Sequence, residues 1–255
     1  MSNKKLFTGP FVGEFGHELF CWQGKIRRLS KDYEHTTVVC LPGHQILYSD
    51  FADEIIEYSP ESYIPDCSWN RGVTDNYPTP DEDGYDYIGP NKQIIRLYDE
   101  HQDFVKLGKK IPNMDYDFIF SARYTDKLNS SYRNWPTDNW DNLAERLLND
   151  GYRIGCIGLS TMSYKVQNTD DFLDLDLESL ANVLSSSKKI IGPSSGPIHF
   201  ATLCKTEQLL WSGDDIEKNK IRYLDWWNPF DVKVEFIPNP DWNPSVDEIY
   251  ERCIK

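Results

Sequence analysis

Two short stretches of this 255-residue chain gather side chains that hold anions or move protons. The first, Ser194-Ser195-Gly196-Pro197-Ile198-His199, follows a β-like apolar run, Lys189-Ile190-Ile191, that breaks at Gly192-Pro193. Ser194 or Ser195 reads as the N-cap of a helix, with Pro197 close to its first position. A strand feeding a small-residue turn and then a helix N-terminus aims backbone N–H groups and the positive end of the helix dipole at one spot. A phosphate group would sit there. The two hydroxyls add donors, Gly196 lets a ligand approach the backbone, and His199 falls on the first turn. The same pattern also builds an ordinary capped β–α connection. The second stretch, Gly13-Glu14-Phe15-Gly16-His17-Glu18, follows the strand-like Leu6-Phe7-Thr8. Its three titratable groups, set between and after glycines, can take a hydroxyl proton or orient the hydroxyl.

Both stretches need a scaffold, and the chain supplies one by alternating strand and helix patterns. Leu19, Trp22, Ile26 and Leu29 mark one face of a first helix that runs to about Ser30. Thr36 to Leu41 is a second strand, ended by Pro42-Gly43; His44 to Ala52 reads as the start of a helix and Glu54 to Tyr58 as a short strand. From residue 59 to 90 the pattern dissolves into Pro, Asp, Tyr and Gly, as in a substrate-side loop. Gln93 to Leu107 has helical spacing, and Gly108-Lys109-Lys110-Ile111-Pro112 reads as a hinge. Beyond it come a buried strand (Tyr116 to Ser121) and a helix capped by Thr137 or Asp138, with Trp140, Leu143, Ala144, Leu147 and Leu148 inward. A strand from Arg153 to Gly158, a loop from Leu159 to Asp170 and a short helix (Leu175 to Leu184) lead to the Ser194 junction. Strands at Gln208 to Trp211 and Val232 to Ile237 and a helix from Pro244 to Ile254 complete the order. This is an α/β pattern with parallel sheets. It divides into an N-terminal Rossmann-like domain, residues 1–110, and a C-terminal one, residues 111–255.

Composition narrows the function classes. With 39% hydrophobic residues and 8 Trp, 15 Tyr and 12 Phe, the chain can fill real cores. A formal charge of −14 argues against broad attraction to polyanions or anionic membrane. No signal peptide or spanning segment is evident, and a cytoplasmic location is expected. Six scattered cysteines (Cys21, Cys40, Cys67, Cys156, Cys204 and Cys253) form no C-x-x-C pair and read as free thiols in a reducing compartment.

Residues 115–213 resemble the C-terminal domain of the GT-B glycosyltransferases, most of all the heptosyltransferase-like group. The matching elements are the Arg133-Asn134-Trp135-Pro136 loop with its helix to Leu148, the Gly-ended strand Ile154 to Gly158 and the leucine-rich helix Leu177 to Leu184. The fourth is the Ser194-Ser195-Gly196-Pro197-Ile198-His199-Phe200-Ala201 run, with Ser194 where the group usually has Asp. Gly13-Glu14 is similar to the turn where heptosyltransferases keep a catalytic acid. The resemblance implies two Rossmann-like domains facing across a cleft. It places a nucleoside-diphosphate sugar, a UDP-sugar by default, on the second. The pyrophosphate would lie on Ser194, Ser195 and Gly196, with Arg123 as charge partner and Lys127 and Arg133 as further ones. Base and ribose would lie near Gly158, and His199 would orient a phosphate or pack. Glu14 would be the base for an acceptor hydroxyl, with His17 and Glu18 as alternates. A single base implies inversion, and neither a metal nor another cofactor is expected.

Two other readings share these residues: a nucleotide-sugar epimerase or hydrolase of the same fold, and a non-catalytic nucleotide-sugar-binding protein. For the acceptor, compact bacteriophage transferases that glycosylate hydroxymethylated DNA bases offer an analogy, which would place the chain in the host cytoplasm. Lys25, Arg27, Arg28 and Lys31 on the first helix would supply the basic track or simply form a solvated helix face, and Trp226 and Trp227 could stack on a base or a sugar or equally seal the core.

Overall fold

The structure is a computed structural model that describes residues 4–60, 76–81, 83–89, 101–126, 130–213, 217, 219 and 221–255. The chain forms two compact units, Met1–Val105 and Lys106–Lys255. Each is a parallel sheet with helices, as an α/β reading requires.

In the first unit β1 (Lys5–Thr8), β2 (His35–Cys40), β3 (Glu54–Glu57) and β4 (Tyr85–Ile88) pair in the order β3-β2-β1-β4. Between β1 and β2 run a short helix α1 (Phe15–His17), a π-helical turn Glu18–Trp22 and α2 (Gln23–Ser30). Leu19, Phe20, Trp22 and Ile26 are all fully buried, and Trp22 packs on Phe11 at 5.6 Å. The stretch His44–Ala52 forms only a 3₁₀ turn, Gln45–Leu47, in place of the expected helix. Residues 101–107 are irregular; the rest of the helix expected over Gln93 to Leu107 lies mostly outside the described residues.

Arg27 anchors the first unit. It is 4% exposed and grips the Asp50 carboxylate through Nε (2.8 Å) and Nη2 (2.9 Å). It also donates to the Leu47 and Asp103 carbonyls at 2.9 and 3.0 Å. Gly9, just past β1, donates its N–H to the Ile88 carbonyl and has φ +97°. A Cβ there would stand 2.1 Å from the Val39 carbonyl oxygen. Gly9→Ala is therefore expected to lower unfolding free energy by about 1–3 kcal/mol, read by urea denaturation.

Among its described residues the second unit has six strands: β5 (Tyr116–Phe120), β6 (Ile154–Gly158), β7 (Asp170–Leu173), β8 (Ser187–Pro193), β9 (Glu207–Ser212) and β10 (Val234–Pro238). They pair in the order β10-β9-β8-β5-β6-β7, which is the doubly wound Rossmann order with β5 as first strand. Among the described residues, helices α3 (Thr137–Asn149), α4 (Leu177–Ser185), α5 (Gly196–Leu203) and α6 (Val246–Cys253) accompany them. Trp140, Leu143, Ala144 and Leu147 form the inner face of α3, as its spacing predicts. The helix begins at Thr137 with Pro136 at the N-cap, one position before the expected cap.

Trp135, Trp140 and Trp211 meet in one cluster, with ring centroids 4.9–5.7 Å apart. Each contributes about 4–6 kcal/mol of gross transfer free energy. The Gly108–Pro112 segment expected to be a hinge is strapped onto the second unit. Lys109 N–H donates to Asn182 Oδ1 at 2.7 Å and Ile111 N–H to Ser186 Oγ at 2.8 Å.

Candidate functional site

In a doubly wound sheet, ligands bind outside the carboxyl ends of the strands where the strand order reverses. In the second unit that point lies between β5 and β8. Ser121, the first residue after β5, donates its N–H to the Ile191 carbonyl at 2.9 Å. Its hydroxyl lies 3.4 Å from that of Ser195. Ser195 is the N-cap of α5, extended at φ −161° and ψ 168°, and its side chain makes no cap hydrogen bond. Gly196 opens the helix and Pro197 follows in its first turn. Ser195, Gly196 and Pro197 are half-buried, so the accessible helix start is the one the sequence placed there.

The other expected donor-binding residues take different positions. Ser194 is buried, its N–H donating to the Trp211 carbonyl and its hydroxyl paired with that of Tyr223. His199 is also buried, stacked on Tyr223 at 5.0 Å and meeting Trp227 edge-on at 4.8 Å. Tyr223, on the π-helical turn Ile221–Trp226, thus covers both. Of the two readings of Trp226 and Trp227, Trp227 takes the core-sealing one, 4% exposed against His199, whereas Trp226 is 37% exposed.

Arg123 serves the loop that follows β5. Its guanidinium donates to the Ser130 carbonyl and hydroxyl and to Asn134 Oδ1, at 2.7–3.1 Å. Arg133 is the arginine at the junction itself: Nη2 donates to the Ser194 carbonyl at 2.6 Å, and the guanidinium lies over the Trp242 ring at 4.9 Å. Lys127 lies outside the described residues. Gly158, at the end of β6, has φ +137°, and a Cβ there would meet Ser163 Oγ at 2.0 Å. Only glycine fits that turn.

In the first unit the order reverses between β1 and β4, and Glu14 lies on the segment that leaves β1. Glu14 is exposed, and one carboxylate oxygen lies 3.3 Å from Nδ1 of the buried His17. Glu18 turns inward. At 1% exposure its carboxylate accepts from the Tyr48 hydroxyl and contacts His44 Nδ1, both at 2.7 Å. Burial and that carboxylate push the Tyr48 hydroxyl well above its ordinary value. For His44, burial alone would disfavour the proton, but the charge and hydrogen bond of Glu18 outweigh it and the imidazole is raised. Cys40 nearby is pushed up to about 12, by burial first and then by Glu18 and Glu57.

His44 and Tyr48 escaped the sequence reading. The Pro42-Gly43 turn at the end of β2 was the available signal, since a carboxyl-end loop is where functional side chains gather. The supposed basic track is also broken. Arg27 is buried on Asp50, while Arg28 and Lys31 face Asp103 at 3.9 and 2.7 Å. Among the described residues no group of three His, Cys, Asp or Glu side chains is placed to hold a metal ion, and no helix is long and apolar enough to cross a membrane. The five described cysteines are free and buried.

Comparison with solved structures aligns nearly the whole chain with sugar transferases. A glycosyl transferase family 9 protein from Veillonella parvula matches at TM-score 0.60 and 11% identity, covering 99% of this chain and 92% of that one. The E. coli ADP-heptose lipopolysaccharide heptosyltransferase II matches at TM-score 0.56 and 14% identity, over 98% and 96%. The E. coli heptosyltransferase WaaC with ADP matches at TM-score 0.55 and 11% identity, over 98% and 96%. The chain has the GT-B fold. A dodecameric glycosyltransferase, TibC from enterotoxigenic E. coli, shares this fold at TM-score 0.54 and 15% identity, over 95% of this chain and 62% of that one, and is described as iron-containing. No protein-family model matches the sequence, and no curated protein matches it either.

Proposed function

We propose that this chain is a glycosyltransferase that moves a sugar from a nucleoside-diphosphate sugar to an acceptor hydroxyl, without a metal and with inversion. The observation that carries this reading is the half-buried Ser195-Gly196 helix start at the β5/β8 reversal, with Ser121 and Arg133 beside it. First-turn N–H groups have no carbonyl partner within their own helix and point at an anion. The diphosphate of the donor would lie there, and the Arg133 guanidinium would share its charge.

Glu14 takes the proton of the acceptor hydroxyl while that oxygen forms a bond to the anomeric carbon. The bond from that carbon to the diphosphate oxygen breaks, and its electron pair leaves on the nucleoside diphosphate. Negative charge growing on the leaving group is met by fixed dipoles and a guanidinium, which need no rearrangement as the reaction proceeds. His17, next to Glu14, keeps the carboxylate oriented.

Calorimetry with ADP, UDP and GDP and their sugars, with and without Mg²⁺, tests the donor half. ADP comes first because solved structures of this fold hold ADP or ADP-heptose; UDP is the general default. One nucleoside diphosphate is expected to bind independently of Mg²⁺, and Arg133→Ala to weaken it roughly tenfold, the worth of a charged hydrogen bond. Binding of none would overturn the reading. The acceptor screen then includes hydroxymethylated DNA as its nucleic-acid arm.

A further inference from the structure

His44 stands on the same edge of the first sheet as Glu14. β1 and β2 are parallel neighbours, so the segment leaving Thr8 and the turn leaving Cys40 emerge side by side. The ring of His44 meets that of Phe15, the residue after Glu14, edge to face at 5.6 Å. Because the Tyr48 hydroxyl and His44 Nδ1 share one carboxylate, Nδ1 is a donor and carries a proton. Nε2, across the ring, makes no hydrogen bond among the described residues, and 18% of the side-chain surface is open.

We propose that His44 is a substrate-binding residue whose Nε2–H receives a phosphate or carboxylate group of the acceptor, holding the acceptor hydroxyl at the Glu14 loop. Naming the acceptor as the carrier of that anion rests on the proposed transfer reaction; the anion site does not. Glu18 on the π-helical turn contacts this group and Tyr48, after the 3₁₀ turn, shares the Glu18 carboxylate, with Cys40 and Glu57 on β2 and β3 and Arg27 on α2 one layer out. The Glu18 charge favours the imidazolium, which keeps one N–H, at Nε2, beyond the bond to Glu18. Such a donor makes a charge-assisted bond to an oxyanion and a much weaker one to a neutral hydroxyl.

The test follows the histidine nitrogens of the intact ¹⁵N-labelled protein during titration with inorganic phosphate, glucose 6-phosphate and glucose. The His44 Nε2 resonance is expected to move with the first two and stay still with glucose. His44→Gln keeps an amide for Glu18 and is expected to weaken glucose 6-phosphate binding about tenfold. Glu18→Gln retains a hydrogen-bonding group but removes the charge that raises His44. The pH above which phosphate binding fades should then move downward, a shift that a merely structural histidine would not produce. A stationary His44 resonance in all three titrations, or unchanged affinity in His44→Gln, overturns the proposal. If phosphate moves His44 but the protein binds no nucleoside diphosphate, the anion site stands and the transfer reading falls.

Discussion

Glu14→Gln is expected to lower the rate of sugar transfer by about 10²–10⁴-fold, the range a general base contributes, with donor affinity nearly unchanged. Among the three titratable residues of the first loop, Glu14 alone has an exposed carboxylate: His17 is 7% and Glu18 1% exposed. The amide keeps the shape of the side chain and can still pair with His17 Nδ1, 3.3 Å from the carboxylate, so the loop should survive. What it loses is a site for the acceptor proton. The assay is donor turnover against donor affinity measured on the same protein. Unchanged turnover would remove Glu14 from the chemistry. Turnover that persists without an acceptor would favour a nucleotide-sugar hydrolase, and binding without turnover in the wild type a non-catalytic protein.

How far the sequence leads depends on where burial leaves its mark. β8 is buried at Ile190 and Ile191, between neighbours on both edges, so its apolar run was legible. β4 and β7 are sheet edges with no buried residue: Tyr85–Ile88 lies in a Pro- and Asp-rich stretch, and Asp170–Leu173 begins with two exposed acids. Neither carries the apolar pattern of a central strand. The helix start at Ser195 was legible because capping is local chemistry. The partners of each site residue were not. Nothing near Ser194 or His199 in sequence announces Tyr223, and nothing near Glu18 announces Tyr48, thirty positions on. Glu14 is preferred over Glu18 only through the resemblance of its turn, because residue type does not say which carboxylate faces water. The π-helical turn that begins at Glu18 carries its side chain into the core beside His44 and Tyr48.

Ser195→Asp separates a functional anion site from a plain capped junction, because the two readings predict different outcomes. Ser195 already has the extended N-cap backbone, but its hydroxyl makes no cap hydrogen bond and lies 3.4 Å from that of Ser121. An aspartate there is a strong N-cap whose charge suits the helix dipole, so stability should hold or rise by about 0.3–1 kcal/mol. The same carboxylate would occupy the place proposed for the diphosphate and repel it. Nucleoside-diphosphate affinity is expected to fall by about 100-fold, since a like charge in a binding site costs several kcal/mol. Thermal unfolding and calorimetry on one preparation read both quantities. Lost affinity with stability intact assigns the helix start to the donor. If both hold, Ser195-Gly196 is a capped β–α connection and the diphosphate must be sought elsewhere.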